Sequence, residues 1–382
     1  MSGVFIHDAL RTPRGKARPD GGLAGETPQS LVAHLVDALE TRGYDPRGRA
    51  ERLTLGCVGQ VGAQGGHVAV VAKLKAELPD RVAALTINNF CASGLSAIGL
   101  SAAAIAGGQA EWALGGGVEM LSRVAFMADV ADYYTATDMV PERRYIPVAL
   151  AADLLAEKAG IDRAALDAVA LESQSRAVAA ESRPALLASR VPLAGLDRDE
   201  AARATTADTL AALPPAFGEL ARAYRGVIGD NPVDHRHTIG HAPPMTDGAG
   251  LALLGPRTGA RARILAFSEG GADARDSLTA GFVAMDRALD RAGLSLGAID
   301  RIEFMEAFAV TIAKFLRERH PDPARVNVGG GHIAKGHPMG ATGAILLSTL
   351  LDALDEADAT LGLVVATGAQ GVGAAMVVER LR

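Results

Sequence analysis

Cysteine is nearly missing from this 382-residue chain, which has only Cys57 and Cys91. Two such residues build no disulfide framework and show no metal-type spacing. Aromatic residues make up 4% of the chain, set against 44 glycines, a balance that favours close packing of small-residue helices. Positive charge is nowhere concentrated: the net charge is −6 and there is no basic tail or Lys/Arg block. That argues against a nucleic-acid partner. Long apolar runs are lacking as well. The one uncharged stretch long enough to span a bilayer, residues 92–110, is mostly Ala, Ser and Gly. Its transfer into lipid is poor, so no membrane insertion is expected. Residues 1–7 read as a short strand rather than a basic region followed by an apolar signal core, and a cytoplasmic chain is expected.

What is present is an ordinary globular balance, 49% hydrophobic and 21% charged, in a chain long enough for two or more packed units. Taken in order, residues 28–42 read as an amphipathic helix, 52–58 as a strand, 68–77 as a helix and 82–87 as a strand. An Ala-rich helix over 91–107 follows, then a strand over 112–115 that ends in a Gly115-Gly116-Gly117 loop. Strands alternating with helices predict an α/β layered fold with a mostly parallel sheet.

The second half repeats the first. Arg301-Ile302-Glu303-Phe304 lies 249 positions after Arg52-Leu53-Thr54-Leu55, and Ala341-Thr342-Gly343 lies 249 positions after Ala92-Ser93-Gly94. The strand over 360–365 follows residues 111–116 at the same offset. One register held over several elements indicates an internal duplication. The closing strand, 371–378, finds its counterpart only at 247–254, so residues 118–245 read as an insertion. The expected organisation is an amino-terminal half over 1–117 completed by a strand at 246–256, an inserted domain over 118–245, and a carboxy-terminal half over 257–382. Insertions above a rigid sheet commonly carry binding surfaces.

Cys91 stands where a strand gives way to the Ala-rich run. A thiol on the first turn of a helix lies at the positive end of the dipole, which can bring its pKa to roughly 3.5–7.5. Read alone, a cysteine is more often a small buried hydrophobe. The duplication changes that, because it places Gly336-His337-Pro338 where the first half has the stretch around Cys91. Two facing helix starts would then bring together a nucleophile and its base. Glycine runs at 329–331 and within 367–373 follow strands, where backbone N–H groups can form an oxyanion hole. His235, His237, His241 and His332 are irregularly spaced and predict no metal site. Cys57 reads as an inert core thiol.

These residues carry a resemblance. The chain resembles the thiolase family over essentially its whole length. The matching stretches are Arg11-Thr12-Pro13, Asn88-Asn89-Phe90-Cys91-Ala92-Ser93-Gly94-Leu95, Gly115-Gly116-Gly117-Val118-Glu119-Met120, Asp247-Gly248-Ala249, and residues 327–343 with Gly336-His337-Pro338. It is most similar to the fatty-acid-oxidation branch, the 3-ketoacyl-CoA thiolases. The resemblance implies a five-layer α-β-α-β-α fold of two duplicated halves with an inserted loop domain, and a homodimer or homotetramer. It implies that Cys91 takes an acyl group from a coenzyme A thioester with His337 activating the thiol, and that no cofactor is permanently bound. The pantetheine of the CoA substrate would pass Ala307, Phe308 and the segment that contains Pro243.

The departures are as specific as the matches. The family's second catalytic cysteine aligns with Thr367, and no cysteine follows Cys91. The family's Asn-Glu-Ala-Phe motif reads Met305-Glu306-Ala307-Phe308, and its Gly-Asn-Ala-Ser segment reads Gly240-His241-Ala242-Pro243. The first half-reaction is equipped and the second, Claisen condensation or thiolysis, is expected to be weakened. Two other readings fit these departures: acyl transfer or thioester hydrolysis with a different acceptor, or a CoA-binding subunit without catalysis.

Overall fold

Short apolar segments bounded by glycines and helix caps produce ten strands among the described residues, and these join into one mixed sheet. The structure is a computed structural model and describes residues 3–230 and 232–381; the opening Met1-Ser2 lies outside the described residues. The strands are β1 (Phe5–Arg11), β2 (Gly15–Lys16), β3 (Arg52–Gly56), β4 (Ala83–Ile87), β5 (Ala113–Met120), β6 (Thr246–Gly255), β7 (Ala262–Gly271), β8 (Arg301–Phe304), β9 (Leu361–Thr367) and β10 (Val372–Arg380). Their order is β4-β3-β5-β6-β1-β7-β10-β9-β8, with β2 paired on β6. Parallel pairing is confined to β3 with β4 and β5 and to β8 with β9, so the sheet is less parallel than the strand–helix alternation predicts.

The helices fall into three groups. In the first half are α1 (Pro28–Thr41), α2 (Pro46–Arg49), α3 (Val68–Lys75) and α4 (Ser93–Ala106). The inserted segment holds α5 (Val148–Lys158), α6 (Arg163–Ala180), α7 (Ala207–Ala211), α8 (Gly218–Ala223) and α9 (Arg225–Ile228). The second half has α10 (Ala280–Ala292), α11 (Ala309–Arg319), α12 (His332–Lys335) and α13 (Thr342–Glu356). Local chemistry explains several starts. Thr27 and Ser30 cap α1 reciprocally with Pro28 in its first turn, and Leu31, Leu35 and Leu39 form its buried stripe. Asp162 caps α6 through the Ala165 N–H.

The duplication is visible in the hydrogen-bond register. β3 pairs Arg52 with Ala113 of β5, and β8 pairs Arg301 with Gly362 of β9, each partner 249 positions on. β5 pairs Gly117 with Gly250 of β6, and β9 pairs Ala366 with Ala374 of β10. The counterpart of β4 is reduced in the second half to a single bridge between Ile302 and Val326. α1 and α3 cover one face of the first half and α10 covers the far face of the second. α4 and α13 lie between the two halves, which gives five layers.

Contact between α4 and α13 depends on glycine at equivalent positions. A Cβ on Gly94 would stand 2.7 Å from the Gly340 carbonyl oxygen, and one on Gly343 would stand 2.5 Å from the Leu95 nitrogen. Gly115-Gly116-Gly117, expected as a loop, lies instead within β5, which continues through Met120. Side chains there would collide with α4, β6 and the Gly340 carbonyl, so these glycines let the layers close upon the strand. No described helix is long and apolar enough to cross a membrane.

Candidate active site

Cys91 and His337 meet where the two central helices begin. The Cys91 Sγ lies 3.2 Å from His337 Nε2, and His337 Nδ1 lies 2.7 Å from Thr342 Oγ1. Phe90, held at φ +45°, turns the chain just before the cysteine. Its N–H donates to Asn88 Oδ1, and its carbonyl accepts from Ser93 Oγ. On the other side, the His337 N–H donates to the Pro244 carbonyl, so the Ala242-Pro243-Pro244 segment pins the histidine loop. Cys91 and His337 are each 8% exposed, enough to be reached from a cavity yet shielded from bulk water.

Helix α4 starts at Ser93 with Ala92 as its cap, so Cys91 precedes the helix rather than sitting on its first turn. The expected lowering of its pKa does not occur in this state. Burial and, behind it, the charge of Glu119 push the Cys91 thiol up to about 12, against the pull of the Cys91 and Ala369 backbone N–H groups. Burial and the nearby Arg14 push His337 down to about 3. The resting pair is therefore a neutral thiol beside a neutral imidazole, and desolvation outweighs the helix field. In the tautomer whose Nδ1–H donates to Thr342, Nε2 faces the thiol free to accept its proton.

Glu119 organises this junction and was not singled out for any role from the sequence. Its carboxylate accepts from the Val58 N–H at 2.8 Å, the Gly59 N–H at 2.9 Å, Gln64 Nε2 at 2.6 Å and the Gly340 N–H at 3.0 Å. These bonds tie loops of the first half to the turn that follows His337. An acidic residue two positions after a run of three glycines was the available signal. Cys57 lies just past β3, with its Sγ 3.6 Å from Glu119; burial raises its pKa strongly, as befits an inert thiol. Arg11, in the Arg-Thr-Pro stretch, is fully buried and forms a two-pronged ion pair with Asp199 of the inserted segment at 2.8 and 3.0 Å.

A cavity of about 460 Å³ opens onto the pair. Cys91, His337, Ala307, Phe308, Pro243 and Thr367 all line it. Thr367 Oγ1 has no hydrogen-bond partner. Met305, by contrast, is fully buried and does not line the cavity. The Gly329-Gly330-Gly331 run, a candidate for oxyanion donors, packs behind the site. Gly330 abuts α6, and the Gly331 N–H donates to Ser173. The Ala369 N–H, from the second glycine run, faces Cys91 instead. Three of the scattered histidines are held by carboxylates: His235 and His237 contact Asp153, and His241 contacts Asp167, each at 2.7–2.8 Å; neither ring nitrogen of the buried His332 has a hydrogen-bond partner.

Sequence comparison matches the family described as Thiolase, N-terminal domain over residues 4–257 and Thiolase, C-terminal domain over residues 258–380. The chain belongs to the thiolase family. It is 36% identical to an acetyl-CoA acetyltransferase of Pseudomonas aeruginosa and 32% identical to a beta-ketoadipyl-CoA thiolase of Pseudomonas putida. It is 33% identical to a 3-ketoacyl-CoA thiolase of Aeromonas hydrophila, and in all three cases the match covers the whole of both chains. The α/β thiolase fold of duplicated halves expected from the sequence is therefore the fold observed.

Proposed function

We propose that this chain is an acyltransferase that takes the acyl group of an acyl-CoA onto Cys91. The carrying observation is the 3.2 Å contact between Cys91 Sγ and His337 Nε2 at the floor of an apolar cavity. As the thioester arrives, the Cys91 proton moves to Nε2 and the sulfur attacks the carbonyl carbon. The new S–C bond forms, the bond to the CoA sulfur breaks, and the departing CoA thiolate recovers the proton from His337. The N–H groups of Cys91 and Ala369 face the reacting sulfur and are the proposed donors to the thioester oxyanion. Ala307, Phe308 and Pro243, on the cavity wall, are the proposed contacts for the pantetheine arm.

The second half-reaction has less machinery. Thr367, on the cavity wall, carries a hydroxyl too weakly acidic to shuttle the α-proton of an attacking acyl-CoA near neutral pH. This observation favours a second reading, in which acyl-Cys91 passes its group to water or another acceptor. Mass spectrometry after incubation with acetyl-CoA and longer acyl-CoAs tests the first step. An adduct on Cys91, absent in Cys91→Ala, is expected; no adduct with any thioester would sink the proposal.

The reading extends to assembly and location. β4 is an edge strand, and Val70, Val71 and Leu74 of α3 are exposed beside it. An open edge with apolar neighbours favours burial against a second copy, and a homodimer or homotetramer in the cytoplasm is the proposed state.

A further inference from the structure

The chain is poor in aromatic residues, yet those of the inserted segment converge on one place. The inserted segment contains six of them, and Phe126, Tyr134, Tyr145, Phe217 and Tyr224 all line the cavity above Cys91. The sixth, Tyr133, packs edge-on to Tyr145 with ring centres 5.8 Å apart. Tyr134 and Tyr145 are 4.9 Å apart, and Tyr145 and Tyr224 are 6.2 Å apart, spacings at which rings attract through edge and face.

Three of the hydroxyls are held by partners. Tyr134 donates to the Asp129 carboxylate at 3.0 Å, and Tyr133 donates to Gln370 Oε1 at 2.7 Å. Tyr145 reaches the sulfur of Met127 at 3.7 Å. With these hydroxyls engaged, the wall offers ring surface bordered by Asp129 and Met127, which line the same cavity. The Tyr133–Gln370 bond also ties this wall to the loop that carries the Ala369 N–H, so the rings are held in register with the reacting sulfur. Gln370 is anchored in turn, its N–H donating to Ser277 Oγ and its Nε2 to the Ile146 carbonyl.

We propose that the acyl group accepted by Cys91 carries an aromatic ring, which the tyrosines of the inserted segment hold edge-to-face. The pantetheine arm shares this cavity of about 460 Å³; along Ala307, Phe308 and Pro243 it leaves the tyrosine wall for the acyl group, and a two-carbon group would not cover that wall. A flexible alkyl chain could cover it, but would lose rotamer freedom and gain no ring–ring geometry. A planar group is stiff already and matches walls set at the angles that rings prefer. This inference rests on the acyl-Cys91 reading and specifies its substrate.

The test compares 3-phenylpropanoyl-CoA, octanoyl-CoA and acetyl-CoA as acyl donors, with the rate of Cys91 adduct formation followed by mass spectrometry. The aryl thioester is expected to react at least about tenfold faster per unit concentration than either rival. Tyr145→Leu and, as a surface-ward variant less exposed to misfolding, Tyr224→Leu should each shrink that ratio severalfold. Binding of the same thioesters to Cys91→Ala by calorimetry reads the preference without the chemistry. Adducts forming equally fast from octanoyl-CoA would overturn the inference while leaving the acyl-enzyme reading intact. An equal loss for all three thioesters in the tyrosine variants would also overturn it, because the rings would then serve the shared pantetheine arm. The absence of any adduct, with the ring preference still seen in binding, would instead remove the acyl-enzyme reading alone.

Discussion

At the scale of single residues, chemistry near Cys91 is governed by burial. A thiol held at about 12 beside an imidazole at about 3 stays neutral across the physiological range, so sulfur reactivity toward small reagents should be low. Alkylation of Cys91 by iodoacetamide is expected to accelerate about tenfold per pH unit from neutral pH upward, following the thiolate fraction. Mass-resolved labelling checks this, and a flat profile would mean a preformed thiolate–imidazolium pair. Thr367→Cys restores an acidic group on the cavity wall, and acetoacetyl-CoA thiolysis should rise by about a hundredfold if proton transfer is the limiting deficit. Equal rates in wild type and variant would refute that role for Thr367.

A second residue-scale expectation lies behind the site. Burial raises Glu303 to about 7, against the opposing pull of Lys335. Between its ordinary value near 4.5 and about 7, the folded protein holds a proton that the unfolded chain has released. Wild-type stability should therefore fall relative to Glu303→Gln as pH rises through that window. Thermal melts of both proteins at several pH values measure it; a gap that is constant with pH would contradict the assignment.

At the scale of elements, the two central helices position the reactive pair, and glycine sets their separation. Gly343→Ala would force a methyl group to within 2.5 Å of the Leu95 nitrogen. The expected cost is about 1–3 kcal/mol in urea denaturation. A larger proportional loss of acylation should accompany it, because α4 and α13 carry the loops of Cys91 and His337. Unchanged stability would show that the layers can spread without strain. The three helices read from the sequence in the first half agree with α1, α3 and α4 to within about two residues at each end, because composition and caps determine where a helix can run. The onset of α4 was not legible at the resolution that mattered. Ser93 rather than Cys91 opens the helix because Phe90 adopts a left-handed turn, and that turn is stabilised by Asn88 and Ser93 in three dimensions. The 115–117 glycines misled for a related reason. Glycine signals a loop when only the chain is considered, and permits close layer packing once α4, β6 and Gly340 are in place.

At the scale of the whole molecule, the sheet ends in an open edge at β4, and the proposed oligomer should bury it. Sedimentation is expected to show at least a dimer, with Leu74→Glu shifting it toward monomer, since Leu74 is 63% exposed on the adjacent helix. A monomeric wild type would remove that proposal. By itself, the sequence determined the duplication, the register that sets Cys91 against His337 and the absence of any cysteine after Cys91. Each of these is a statement of identity and spacing, and a repeated register carries over into a repeated hydrogen-bond ladder. Only the tertiary structure decided the protonation of the pair, the bridging role of Glu119 and the gathering of the scattered tyrosines around one cavity. These depend on desolvation and on contacts between residues distant in the chain, and neither is written in local composition.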